Sequence, residues 1–357
     1  MNRMSAKTGN FLIGFLVFCL FGCINSDTPD FINRVPDSDQ FEYKTINDWS
    51  NIVYDTLTVD VWFDNHQSDI ILNRVEDIIS IENGLFWVAD LNRSMVYEVD
   101  EHGKISREIF KKGRGPGDIG TPASMYRYQN KIYTLDIGLK QIIVTDLHGI
   151  EVNRFSFKEI PPAFSTNKLT VLDDNRFIWP SFLHNPVLAI RDSSGSIIDT
   201  LAKPVIPTGF HPGMHNSVMY EYDEIRELFA YGYHGVPLIM VNKGEEKFMI
   251  HLQPEAEPDE LNFNLIPSEQ APVPGEPGSS VYNLIREIYF DDDSIWIGYR
   301  ASLMKIPFSN QSDIKIFNFR NLDGDDVIYH DVFKTESHLF FVTHHSDTIY
   351  RISIDNF

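Results

Sequence analysis

Residues 85–110 read LFWVADLNRSMVYEVDEHGKISREIF, and residues 131–156 read KIYTLDIGLKQIIVTDLHGIEVNRFS, displaced by 46 positions. An Asp-x-x-Gly tetrapeptide sits in each, as DEHG (100–103) and DLHG (146–149), and returns one step later as DSSG (192–195). The aromatic anchors Trp87, Tyr133 and Trp179 keep the same step, and so do Asp90 and Asp136. Three independent features on one period define an internal repeat, and such a repeat decides the fold. Within the first unit, Val-, Ile-, Phe- and Tyr-rich runs separated by Asp, Asn and Gly turns predict strands over roughly 75–81, 85–90, 94–99 and 104–110.

Three further units are more degenerate. They cover about 225–252, 284–320 (with Trp296 in the aromatic position) and 326–354. Alternation in SNIVYDTLTVDVWF (50–63) predicts one more strand, placed to close a ring beside the last unit. A four-stranded unit of this length is what a β-propeller blade requires, because radial repetition protects the strand edges. The stretch 50–357 divides into six blades of about 51 residues, whereas seven would allow only about 44, shorter than the 46-residue step. The expected fold is an all-β, six-bladed propeller of four-stranded antiparallel blades; a solenoid or a two-domain sandwich is the alternative.

The N-terminus reads MNRMSAKTGNFLIGFLVFCLFGC (1–23), with basic Arg3 and Lys7 ahead of an uncharged apolar run from Phe11 to Phe21. That run is about half of the roughly 20 residues a membrane-spanning helix needs, so it reads as a secretory signal. The division expected is a signal peptide at 1–22, a lipidated Cys23 with an acidic, Pro-interrupted tether at 23–48, and the propeller at 49–357. The closing LFGC (Leu20 to Cys23) resembles the lipobox of bacterial lipoproteins, whose cysteine is acylated and becomes the mature N-terminus. Blade one ends in REIFKKGRGPGDIG (107–120), and its KGRGPGD core resembles the loop of NHL-like six-bladed propeller lipoproteins of diderm bacteria. That resemblance implies a lipid anchor in the cell envelope, at the periplasmic or surface face of the outer membrane.

The chain has 357 residues, 51 acidic against 30 basic, with a hydrophobic share of 43% and an aromatic share of 13%. So much apolar material excludes global disorder. Loss of Arg3 and Lys7 with the signal leaves 28 basic side chains and a net charge of −23. Such a balance excludes nucleic acid as a partner, because phosphate contacts demand Lys and Arg. Both cysteines lie within the first 23 residues, so no disulfide framework and no thiol chemistry is expected in the body.

Up-and-down blades place the turns between strands 1–2 and 3–4 at one end, and the 2–3 loops and blade connections at the other. The first end has only short turns. The second carries KKGRGPGDIGTP and two large insertions, about 203–224 and 253–280. Long loops commonly carry function, so ligand contacts are expected there, from Arg93, Arg114, Asp118, His184, His234, Arg300 and His344. Arg114 is expected to brace neighbouring blades or to meet an anion.

Other motifs are weaker. Gly115, Gly117 and Gly120 satisfy G-x-G-x-x-G, but Pro122 and another strand pattern follow instead of the helix a dinucleotide needs, so the glycines read as positions for positive φ. His211, His215 and His234 could form a three-His site for Zn²⁺. DDD (291–293) and DGDD (323–326) invite Ca²⁺ but fall where turns are required. Asp90 and Asp136 read as structural hydrogen-bond acceptors. The expected function is a ligand-, protein- or glycan-binding module at the envelope, without cofactor and without chemistry. A metal-assisted hydrolase or lyase using Ca²⁺ or Zn²⁺ is the competing class.

Overall fold

A computed structural model describes residues 35–45, 52–158, 168–181, 185–204, 217–233, 238–252, 285–299, 302–308, 313–343 and 347–357. Residues 1–34, which include the expected signal and Cys23, lie outside the described residues. Six antiparallel sheets form six blades, numbered in chain order from the first inner strand. Blade 1 runs outward through Val75–Ser80, Phe86–Asp90, Met95–Val99 and Ile105–Lys112. Blade 2 comprises Pro122–Tyr128, Lys131–Asp136, Gln141–Asp146 and Glu151–Ser156. Blade 3 comprises Thr170–Asp173, Arg176–Pro180, Leu188–Asp192 and Ile197–Ala202. Blade 4 follows with Val218–Asp223, Leu228–Tyr233, Leu238–Lys243 and Glu246–His251. Blade 5 has Ile285–Phe290, Ser294–Tyr299, Ser302–Pro307 and Lys315–Arg320, and blade 6 has Tyr329–Lys334, His338–Thr343 and Thr348–Ser353. The inner strand of blade 6 packs against that of blade 1, which closes the ring.

Closure uses the N-terminal segment, and differs from the single strand expected over 50–63. The chain makes two strands there: Asp60–Asp64 completes blade 6 antiparallel to Thr348–Ser353, while Val53–Thr58 lies parallel on the outer strand of blade 5. Part of the expected tether is also built into the body. Glu42–Thr45 adds a parallel strand to blade 4, and Val35 is buried in the cluster between blades 3 and 4. A polar stretch can dock in this way because strand addition uses main-chain hydrogen bonds rather than apolar side chains. Blade 4 itself begins at Val218, inside the segment expected to be an insertion, so Tyr220 belongs to an inner strand.

The repeated residues hold one blade to the next. Trp87, Tyr133 and Trp179 are each at most 1% exposed, on the second strands where both faces are covered. In the three Asp-x-x-Gly hairpins, one carboxylate oxygen of Asp100, Asp146 or Asp192 accepts two backbone N–H groups, from residues two and four positions on, each at 2.9 Å. That tightens the turn locally. The glycine then permits both a left-handed backbone and close approach to the preceding blade. Gly103 (φ 78°) lies against the backbone of Trp62, Gly149 against Ile109 and Gly195 against Phe157. Asp90 and Asp136, both fully buried, act as acceptors for blade connections. Asp90 receives the N–H groups of Asn73, Arg74 and Arg93 at 2.8–3.2 Å, and Asp136 those of Gly120, Thr121 and Leu139 at 2.8–3.0 Å.

Candidate functional site

The inner strands surround a central channel with a cavity of about 630 Å³. Its chemistry follows from a bulge repeated in four consecutive blades. In blade 1, Val75 pairs with Asp90 and Asp77 with Ala89, leaving Glu76 as the extra residue. The same step occurs at Arg286 in blade 5, at His330 in blade 6 and at Ala123 in blade 2. A bulge re-aims the side chain that follows it. The equivalent residues Glu287, Asp331, Asp77 and Ser124 all line the channel. Three adjacent blades therefore present a carboxyl group at one register, and the fourth presents a hydroxyl.

A cation lies beside these carboxyls, its Nζ 3.5 Å from the Ile288 carbonyl oxygen of blade 5. Lys168, just ahead of the inner strand of blade 3, pairs with the carboxylate of Glu221 from blade 4. Its ammonium lies 5.0 Å from the ring centroid of Tyr289 and 6.0 Å from that of Tyr220. Both rings are fixed: the Tyr220 hydroxyl lies 2.9 Å from the Lys168 carbonyl oxygen, and the Tyr289 hydroxyl donates to the Val332 carbonyl. At the mouth, Arg74 meets Glu76 at 2.5 Å, His330 Nδ1 meets Asp331 at 2.6 Å, and Arg286 donates to the carbonyls of Tyr329 and His330.

The titrating groups are displaced from their ordinary ranges. Burial raises Asp77 from 3.8 to about 6, against hydrogen bonds from Met125 N and Ser124 Oγ that stabilise its anion. Burial also drives Glu287 well above the carboxylate range; Lys168 pulls it down, while Asp331, Asp77 and Glu221 push it up. Among the described residues, no hydrogen bond or ion pair reaches the Glu287 carboxyl. The Asp331 hydrogen bond raises His330, and burial lowers Lys334. Ser124 is not a free nucleophile, since its hydroxyl donates to Asp77 and accepts the N–H of Leu169 at 3.0 Å. Among the described residues, no three His, Cys, Asp or Glu side chains lie close enough to hold a metal ion.

The Asp77 shift has a measurable consequence. Its folded pKa stands above its unfolded one, so its stabilising contribution is complete below about pH 4 and disappears as pH rises through about 6. Above that, carrying the charge costs the fold about 3 kcal/mol. Asp77→Asn, which keeps an acceptor but cannot ionise, is expected to gain stability relative to the wild type between pH 4.5 and 7.5. Urea unfolding at both pH values checks this; a difference that does not change with pH excludes it.

The residues expected on the loop-rich face divide. Arg93 is exposed in the second-to-third-strand loop of blade 1, its Nε 3.8 Å from the Asp90 carboxylate. Arg114 is exposed in the connection to blade 2 and makes no hydrogen bond or ion pair among the described residues. It does not brace the blades. That role falls to Arg154 and Glu151, whose side chains reach the Gly115 and Asp118 carbonyls and the Gly117 N–H. Asp118 turns back into its own loop and accepts the Gly115 N–H at 2.8 Å. Of the three spaced glycines only Gly117 has positive φ (73°); Gly120 is required by contact, since a Cβ there would lie 2.8 Å from Leu139. His184, His211, His215, His234, Arg300 and His344 lie outside the described residues. Asp291 of the DDD run accepts Trp296 Nε1 and Lys305 Nζ, each at 3.0 Å, and acts as a turn.

Sequence reasoning missed the channel acids. Their trace is a shared opening of the inner strands: Val75-Glu-Asp-Ile, Ile285-Arg-Glu-Ile and Tyr329-His-Asp-Val. Two consecutive polar residues break the alternation of a strand and mark the bulge.

No family model matches the chain, and no curated protein sequence matches it. Solved structures share the architecture. A member of the DUF4221 family from Bacteroides vulgatus superposes with a TM-score of 0.51 at 10% identity, over 83% of this chain and 96% of the other. An exported protein from Bacteroides fragilis gives 0.47 at 14% identity, over 84% and 81%. Virginiamycin B lyase from Staphylococcus aureus gives 0.46 at 11% identity, over 82% and 98%. At such identity the likeness is one of fold, and a fold of this kind hosts many functions.

Proposed function

We propose that this chain is a lipid-anchored, extracytoplasmic binding module of the NHL-like propeller type, holding a small polar ligand in its central channel. One observation carries the binding reading: a cavity of about 630 Å³ lined by the re-aimed carboxyls of Asp77, Glu287 and Asp331 together with Lys168. Ligand sites are commonly cavities of roughly 300–1,000 Å³ with a few convergent polar groups. The LFGC motif ending at Cys23 supports the anchor, in the outer membrane of a diderm cell. A protein or glycan partner would meet the exposed Arg93 and Arg114 on the loop-rich face.

Two experiments test the reading. Full-length chain expressed in a diderm host is expected to incorporate labelled palmitate and sediment with membranes, and Cys23→Ser to abolish both. Unlabelled wild type would remove the anchor. For binding, the purified chain is melted with panels of sugars, amino acids, nucleotides, amines, Ca²⁺ and Zn²⁺. At least one small polar class is expected to raise Tm, an effect lost in Ile79→Trp, which fills the channel. Turnover of the bound compound, or stoichiometric Ca²⁺ or Zn²⁺ in elemental analysis, would replace this reading with the metal-assisted hydrolase or lyase.

A further inference from the structure

Resting on the binding reading, we infer that the channel ligand is a small organic ammonium ion, seated between the carboxyls of Asp77, Glu287 and Asp331 and the rings of Tyr220 and Tyr289. Glu287 is placed close enough to feel Asp77, Glu221 and Asp331 together, with Lys334 beside Glu221, Arg286 and Arg74 beside His330, and the ammonium of Lys168 among the four carboxyls. That ammonium is already paired with Glu221, and Asp331 has His330. Asp77 is met by a hydroxyl and a backbone N–H, neither of which carries charge. The Glu287 carboxyl has no hydrogen-bond partner among the described residues. A group so placed is costly to ionise alone and gains most from an arriving cation.

No three acidic or imidazole side chains among the described residues can converge on a metal ion, so the carboxyls are too dispersed for a bare cation. An organic ammonium of several carbons spans such a distance and fills a cavity of about 630 Å³ far better. The wall already holds such a cation. Lys168 presents a primary ammonium to the faces of Tyr289 and Tyr220 with a carboxylate alongside, the arrangement that recognises an alkylammonium. The chain thus shows, with its own lysine, that these rings accept such a cation. The ligand would add a second one beside Asp77, Glu287 and Asp331.

Isothermal titration of the detergent-purified full chain with spermidine tests this, with sorbitol, citrate and Ca²⁺ as separate titrants. Spermidine is expected to bind and the three others not to. Glu287→Gln should weaken spermidine at least about tenfold, the loss of one close charge pair. Lys168→Gln, which removes the competing ammonium and frees Glu221, should tighten it. Circular dichroism identifies any variant that does not fold, and Asp331→Asn then replaces Glu287→Gln. Spermidine binding unaffected by these carboxyl substitutions, or Ca²⁺ binding in its place, overturns the inference. If amines fail while a sugar binds and is blocked by Ile79→Trp, the ammonium reading fails and the binding module stands. If nothing binds, both fail.

Discussion

Gly103→Ala is expected to destabilise the propeller by about 3–5 kcal/mol, with the seam between blades 6 and 1 opening first. Two costs combine. Gly103 has φ 78°, where an L side chain is strained by about 1–2 kcal/mol. In addition, a Cβ there would lie 1.6 Å from the Trp62 carbonyl oxygen, a backbone atom in the strand that closes the ring. That atom cannot rotate away as a side chain would, so Asp60–Asp64 must shift as a whole. The shift also pulls Trp62 Nε1 from the Asp100 carbonyl, now 3.2 Å away. Gly117→Ala separates the two costs, because Gly117 has φ 73° but nothing within 4 Å of the added carbon. Urea unfolding should therefore show a loss at least twice as large for Gly103→Ala as for Gly117→Ala. Hydrogen exchange should show faster opening of Asp60–Asp64 in the first variant alone. Equal losses would mean that backbone strain explains everything and that the clamp contributes nothing.

That clamp is also why blades 1 to 3 were legible from the sequence. Gly103, Gly149 and Gly195 each meet the blade before, so the packing requirement repeats with the 46-residue step and the residue types repeat with it. Where the requirement lapses, so does the signal. Blade 6 takes its fourth strand from Asp60–Asp64, far away in sequence, and therefore has no closing hairpin to read. The inner strands were harder for a different reason. A strand facing a polar channel carries Tyr, Glu and Asp where alternation rules expect one apolar face, so Val218–Asp223 (VMYEYD) reads as loop. Asp77, Glu287 and Asp331 were hidden in the same way, because nothing in linear spacing reveals that three blades place them at one height. The loop-rich face drew attention instead because length and composition are visible in sequence and register is not.

Asp136→Ala should cost a further large increment, about 3–5 kcal/mol, because it leaves several buried donors without an acceptor. The carboxylate is fully buried and accepts four hydrogen bonds: Gly120 N and Gln141 Nε2 on one oxygen, Thr121 N and Leu139 N on the other. Asp136→Asn keeps one acceptor oxygen, which can still serve two of the four donors, but turns its NH2 toward the Gly120 and Gln141 donors, so a smaller loss of about 2 kcal/mol is expected. The consequence for the site is more informative than the stability. Thr121 precedes Pro122 and the Ala123 bulge, and that bulge sets Ser124 on Asp77. Asp90 does the same for blade 1, holding Asn73 and Arg74 ahead of the Glu76 bulge that aims Asp77. One recurrent aspartate therefore fixes both the blade connection and the entrance of the inner strand into the channel. Asp136→Asn, folded at working temperature, should weaken spermidine by severalfold without touching the ligand, and should do so in parallel with a change in Asp77 titration followed by NMR. Unaltered affinity with the expected loss of stability would mean that the channel is positioned by its own strands, independently of the connections that enter it.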